Sequence, residues 1–507
     1  MSIIVEVALL SGKTATVKAN LDEKVQALQL RAQNALGVGK GRLLDSSGSD
    51  LDTGALIKKA NLQNGDSLTL HIHHVQVQYS SGAFAAILGD RTVVTWGRND
   101  NGGDNNAARA QLKNVQQIQA TRIGGTFAAI LADTSVVTWG DSGAGGDSRA
   151  VQDQLKHVQQ IQAAEYAFAA ILGDGSVATW GVNEFGGDSS AVKDQLKNVQ
   201  QIQAALWAFA AIRVDGSVVT WGYAGGDCSA VRDQLKNVQQ IQASSHAFAA
   251  ICGDGSVVTW GLASAGGNSR PVQDQLKNVQ HIQASEKAFA AVLADGSVVT
   301  WGEPEYGGDS SVVQDQLQNV QQIQGTACLS GLCGGAFAAI LRDGSVVTWG
   351  HAHCGGDSSA VQARLQHVQQ IQASGGAFAA ILGNGSVVTW GAAEDGGDSS
   401  AVQDRLKTVK HVQASQKAFA AILEDGSVVT WGADEYGADS SAVQDQLQNV
   451  QMVVTAALFM PRSVNYGQPD SLRRDGPGGE SVEDEPKDRA AVLVKTSSKS
   501  RWLALST

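Results

Sequence analysis

Apolar and polar positions along this chain fall into a unit that recurs nine times. In one copy, Phe168 to Leu172 is wholly apolar, the pattern of a strand buried on both faces. Asp174-Gly175 follows and suits a two-residue hairpin turn. Ser176 to Trp180 then reads as the returning strand. Seven copies keep Asp-Gly or Asn-Gly at this turn, whereas the first two carry Asp90-Arg91 and Asp133-Thr134. Each copy ends its hairpin on Trp-Gly, with Trp96, Trp139, Trp180, Trp221, Trp260, Trp301, Trp349, Trp390 and Trp431 spaced 39 to 48 residues apart. A period near 40 marks an array, a solenoid or a propeller.

The remainder of the unit is less decided. Gly186-Gly187 is a turn. Val199 to Ile202 reads as a third strand, yet Val192, Leu196 and Val199 also fall at helical spacing. Periodicity therefore allows a three-stranded blade or a hairpin followed by a short helix, the latter building an open α/β solenoid. Val75 to Gln78 and Val450 to Val454 both resemble the Val-x-x-Ile strand, so either is a candidate to complete a blade begun at the other end of the chain.

Residues 1–74 carry no repeat. Ile3 to Leu10 reads as a strand, Ser11-Gly12-Lys13 as a turn and Thr14 to Lys18 as a returning strand. Asp22 is placed to cap a helix whose inner face is Val25, Leu28, Ala32 and Leu36, with Gly37 ending it. Arg42-Leu43-Leu44 and Ser67 to His73 read as two further strands.

Two resemblances follow from these residues. The apolar strand, Asp-Gly-x-Val, Trp-Gly, Gly-rich turn and Val-x-x-Ile-x-Ala together resemble the regulator-of-chromosome-condensation repeat. That family includes the propellers of the HERC ubiquitin ligases and the plant UV-B photoreceptor, and the short unit is also similar to the bacterial β-lactamase-inhibitor propeller. The resemblance implies a mainly β, multi-bladed propeller over 75–457, with nine units against the usual four to eight blades. Gly12-Lys13-Thr14, Arg42-Leu43-Leu44 and Ser67-Leu68-Thr69-Leu70-His71 resemble ubiquitin, implying an α+β ubiquitin-like (β-grasp) domain over 1–74. Leu44 matches a position of that family's receptor-binding patch, and His71 stands where the family has an aliphatic residue. The family's terminal Gly-Gly is replaced by a continuation into the repeats, which argues against conjugation. Residues 458–507 read as a mostly disordered tail, with a terminal hairpin a candidate over Ala490 to Leu505.

Composition narrows the functions. The net charge of −12 disfavours a nucleic-acid partner. No signal peptide or membrane-crossing apolar run is read, so the expectation is a cytoplasmic or nuclear protein. Five cysteines show no disulfide framework. No phosphate loop or nucleophile motif appears, no Cys follows Cys354 as a HERC-type ligase would require, and neither an enzyme nor a cofactor is expected.

Copies differ mainly before the apolar strand and after Trp-Gly. In an up-and-down blade those loops share one rim, where recognition usually sits. Tyr166, Phe185, Trp207, Tyr223, Tyr306 and Tyr436 recur there and are candidate binding residues, the alternative being neutral drift. The Trp-Gly tryptophans read as packing between blades. The photoreceptor's Gly-Trp-Arg-His-Thr motif is absent. One Asp per Gly-Gly-Asp turn supplies too few oxygens for calcium. The 48-residue spacing comes from an insertion holding Cys328 and Cys333. With His351, His353 and Cys354 these form a candidate zinc set, free thiols being the alternative.

The expectation is a non-catalytic adaptor: a client on the propeller rim, and a ubiquitin ligase or proteasome component on the N-terminal domain. Guanine-nucleotide exchange on a Ran-like GTPase and an inert or inhibitory scaffold are the alternatives.

Overall fold

A computed structural model describes residues 2–441 and 444, apart from 10, 11, 39, 73–75, 81, 122 and 327–333. The candidate strand Val450 to Val454, the tail 458–507, and Cys328 and Cys333 lie outside the described residues.

The N-terminal part is one sheet and one helix. Strands β1 (Ser2–Ala8), β2 (Thr14–Asn20), β3 (Arg42–Leu44) and β4 (Ser67–His71) are ordered β2-β1-β4-β3, with β1 and β4 parallel. Alternation places Ile3, Val5 and Val7 inward, where they meet Val25, Leu28, Ala32 and Leu36 of helix α1 (Val25–Leu36). Gly37 ends the helix in the left-handed region at φ 65°. Asp22 does not cap it. Its carboxylate instead pairs with Lys58 at 2.8 Å, and Lys24 stands at the N-cap without a side-chain bond.

From Gln76 onward the described chain forms nine separate three-stranded antiparallel sheets. The third is representative, with Val158–Ala163, Ala167–Leu172 and Val177–Gly181 in sequence order. Val-x-x-Ile-x-Ala is thus a strand, not a helix. It is the first strand of the sheet that follows it, since Val199 pairs with Arg213. Between Trp-Gly and that strand lie only short 3-10 turns. Val192 and Leu196 fall at helical spacing because they pack, with Val199, into one core cluster from a turn and a loop. The first sheet is complete in itself, because Gln76–Tyr79 pairs with Ala83–Ile87.

The middle strands are apolar throughout because each serves two cores. Phe168 and Ala170 face back onto Ala128 and Ile130 of the second sheet. Ala167, Ala169 and Ile171 face forward onto Val199, Ile202 and Phe209 of the fourth. The series returns on itself: Phe84, Trp96 and Val77 of the first sheet share a core with Ala420, Ile422 and Val428 of the ninth.

The tryptophans join sheets in a second way. Each stacks on the Phe of its own sheet at 5.0–5.3 Å between ring centroids. Eight also donate the indole N–H to a glycine carbonyl of the preceding sheet, as Trp180 does to Gly145 at 3.1 Å. That approach demands glycine. At Gly186, with φ 95°, a Cβ would lie 2.6 Å from the Phe209 ring. Trp96, where the first sheet meets the ninth, has its indole N–H buried without a partner.

Candidate functional site

The two variable loops of each sheet lie at the same end of the strands. Val182 N–H donates to the Tyr166 carbonyl at 3.0 Å, and Tyr223 N–H to the Trp207 carbonyl at 2.8 Å. The Asp-Gly-Ser turns close the opposite end, where Asp174 accepts from the Ser176 amide and hydroxyl. Backbone bonds also run sideways along the rim, from loop to loop. Gly124 N–H donates to Glu165, Glu165 to Leu206, Leu206 to Ser245 and Ser245 to Glu286, each at 2.8–3.0 Å. Nothing in the sequence signals this belt, because main-chain bonds between loops need no residue type. It holds the rim side chains on a rigid base.

Four of the six candidate rim aromatics come together. Tyr166 to Phe185 is 5.6 Å between centroids, Phe185 to Trp207 5.3 Å, and Trp207 to Tyr223 5.9 Å. The row crosses the third and fourth sheets, and His246 of the fifth meets Trp207 edge-on at 4.5 Å. Tyr223 is 61% exposed, and Tyr166, Phe185 and Trp207 are half-buried. Behind the row, the buried Glu165 carboxyl accepts the Trp207 indole N–H. Burial, then the nearby Glu165 and Asp141 carboxyls, raise the Tyr166 phenol above its ordinary value. Burial, then Lys287, hold His246 below the usual histidine range.

The other two aromatics stand apart. Tyr306 is only 7% exposed and belongs to a core cluster, so it is not a free surface ring. Lys287 lies over it, 4.5 Å from the centroid, and donates to its hydroxyl at 3.2 Å. Tyr436 sits under Lys417 at 5.6 Å. The sequence pattern grouped these six by position in the unit and had no means of showing which were already covered.

The zinc set does not converge among its described members. Cys354 is fully buried and donates its thiol to the Gly334 carbonyl at 3.2 Å, and burial pushes that thiol up to about 11. His353 is exposed and faces Glu394 at 3.1 Å. His351 is half-buried. No group of three or more His, Cys, Asp or Glu side chains placed to hold a metal occurs among the described residues. The Gly-Gly-Asp aspartates cap turns, as Asp188 does by accepting the Ser190 amide at 2.8 Å. Two further buried acids stand on this rim: Glu286, at one of the variable positions, and Asp395, which the sequence did not flag and which lies beside Lys417 at 3.5 Å.

On the N-terminal sheet, β3 and β4 are in register with Arg42 opposite His71 and Leu44 opposite Thr69. Leu44 and His71 thus share the face turned away from the Leu43–Leu70 pair, and both are half-buried. Burial, then Arg42 and Arg91, lower His71 from its ordinary value.

No protein-family model matches the chain, and no curated protein matches it. Solved structures do. Prp20p from Saccharomyces cerevisiae, described with its binding to Gsp1p and histones, is 17% identical over 56% of this chain and 82% of that one, with a TM-score of 0.34. The CRINKLY WD40 ectodomain of the Arabidopsis thaliana receptor kinase ACR4 is 16% identical over 55% and 97%, at 0.31. A de novo design based on ubiquitin is 22% identical over 14% of this chain and 85% of its own, at 0.13. Likenesses at such low scores carry no argument about this chain. No helix among the described residues is long and apolar enough to cross a membrane.

Proposed function

We propose that this chain is a non-catalytic interaction scaffold: a nine-bladed propeller of regulator-of-chromosome-condensation type, holding a protein client on its variable rim. The observation that carries the reading is the outward row Tyr166–Phe185–Trp207–Tyr223, set on loops tied together by backbone bonds. Large aromatic rings that lose little entropy on binding are frequent anchors of protein interfaces. The packing of the ninth sheet on the first supports a closed ring. The mixed sheet and single helix of residues 2–71 support a ubiquitin-like domain, which in this reading recruits a ubiquitin-pathway receptor such as a ligase or proteasome component.

The test is affinity capture from source-cell lysate with wild type, Tyr223→Ala and Leu44→Asp. Clients lost only with Tyr223→Ala, and ligase or proteasome subunits lost only with Leu44→Asp, support a two-ended adaptor. Identical partner sets for all three refute it. Acceleration of nucleotide release from a Ran-like GTPase would instead favour the exchange-factor alternative.

A further inference from the structure

The rim shows, inside the molecule itself, what its aromatic rings accept. In the sixth sheet, Lys287 occupies the position just before Ala288-Phe289, and Tyr306 the position just before Gly307-Gly308. The ammonium lies 4.5 Å from the ring centre. In the ninth sheet, Lys417 and Tyr436 hold the same two positions and repeat the contact at 5.6 Å. A cation over a ring face is attracted by the ring quadrupole.

In the third and fourth sheets the lysine position is itself aromatic. Tyr166 precedes Ala167-Phe168 and Trp207 precedes Ala208-Phe209, while Phe185 precedes Gly186-Gly187. The fourth sheet's shorter loop has Ala224 before Gly225-Gly226 and carries its ring one residue earlier, at Tyr223, so both sheets present a ring in each loop and no lysine before the middle strand. The Ser245 N–H to Glu286 carbonyl bond sets Lys287 next along the rim after His246, so a lysine bounds the row on that side. Carboxyls accompany the row: Glu184, next to Phe185 in sequence, and Asp141, in the loop after Trp139-Gly140, are exposed, and Glu165 holds the Trp207 indole N–H. Accepting that N–H, the carboxyl oxygen raises the electron density of the ring face, and so its attraction for a cation.

We propose that the Tyr166–Phe185–Trp207–Tyr223 row receives a lysine or arginine side chain from a basic segment of a partner protein. Tyr166 and Trp207 fill the place that Lys287 and Lys417 hold, so the incoming cation would make the same kind of contact from outside, on the exposed face of the row at Tyr223. This rests on the reading of the rim as the client face and adds the chemistry of the client. The chain's overall charge of −12 complements such a segment.

The test is selection of a random twelve-residue peptide library, displayed on phage, against the full-length chain. The selection is repeated against Tyr223→Ala, Phe185→Ala and Glu184→Gln. These three change exposed or half-buried loop side chains outside the core clusters. The expected result is enrichment of peptides carrying Lys or Arg. A synthetic copy should bind about 2- to 30-fold more weakly to either aromatic variant, and its lysine-acetylated form should bind no better than background. Enrichment of neutral or acidic peptides, basic peptides that bind all variants alike, or no enrichment at all would overturn the assignment. Basic peptides reproducing Lys499-Ser500-Arg501-Trp502 would make the chain's own tail the occupant and overturn a separate partner. A photo-crosslinker at position 223 separates the two failures. Adducts with other proteins alongside neutral peptides leave the client face standing and remove only its cation preference, whereas no adducts and no peptides remove both.

Discussion

Thr134 is predicted to be the wrong residue for its place, and replacing it with glycine should stabilise the protein. Seven of the nine hairpins turn through a glycine at φ 75–81°. The second sheet makes the same turn with Thr134 at φ 66°, and the first with Arg91 at φ 63°. Holding an L-residue there costs roughly 1–2 kcal/mol, with a β-branched side chain at the upper end. Glycine gives back about 0.5–1 kcal/mol through its larger loss of chain entropy. The Thr134 hydroxyl bonds only the neighbouring Asp133 carbonyl, on an exposed loop, and losing that bond costs little. Thr134→Gly should therefore gain about 0.5–1 kcal/mol. The reverse change is the sharper control. In Gly175→Thr the new Cβ would lie 3.1 Å from the Asn198 Cα as well as adopting φ 77°, so the loss should exceed about 1 kcal/mol. The urea midpoint reports the global effect. Native-state hydrogen exchange of the Thr126–Leu131 and Val136–Gly140 amides reports it locally, even where the array does not unfold in one step. A destabilised Thr134→Gly together with a tolerated Gly175→Thr would refute the reasoning.

The remaining predictions use the same structure. Trp180→Phe keeps the stack on Phe168 but loses the bond to Gly145, so it should cost about 1–2 kcal/mol. Trp96→Phe removes an indole N–H that has no partner and should cost less, as a pair of denaturation midpoints will show. Burial raises the Asp395 carboxyl above its ordinary value against the opposing pull of Lys417. Its folded value thus exceeds its unfolded one, and stability is lost as pH rises from the unfolded value through the folded one. Asp395→Asn should therefore raise the thermal midpoint at pH 7, with the gain vanishing below about pH 4; a gain that persists at low pH would contradict the burial argument. Cys354, with its thiol buried and pushed up to about 11, should resist iodoacetamide at pH 8 in the native state and alkylate only on unfolding, as read by peptide mass spectrometry.

Much of the fold was legible because it rests on residue types that strands and turns demand. The run from Phe168 to Leu172 announced a strand buried on both faces, and Asp174-Gly175 announced its turn. Val199 to Ile202 was ambiguous because Leu196 and Val192 enter the same core from a loop and a turn, so burial mimicked a helical stripe. Asp22 misled because a carboxyl three residues before a helix satisfies the capping pattern equally well when it serves Lys58. The rim was found by its variability, but membership of the site depended on contacts. Tyr306 and Tyr223 look alike in sequence, yet one lies under a lysine in the core and the other stands in solvent.

The strands explain why any function must sit on the loops. Each middle-strand residue contacts either the sheet before or the sheet after, so a change of side chain there disturbs two neighbours at once. Overpacking such a core costs about 1–3 kcal/mol, and cavities cost as much or more. The Trp-Gly and Gly-Gly positions are fixed as firmly, since a Cβ at Gly186 would strike Phe209 and one at Gly181 would strike the Tyr166 carbonyl. The residues before the middle strand and after Trp-Gly escape these constraints at one end of the sheets, and it is there that the copies differ most. The backbone bonds from Gly124 to Glu286 then convert free positions into a stiff surface, because they fix the loops without using any side chain. Sheets packed this way can vary their rim side chains, from Lys287 over Tyr306 to Trp207 beside Phe185, without altering how they pack.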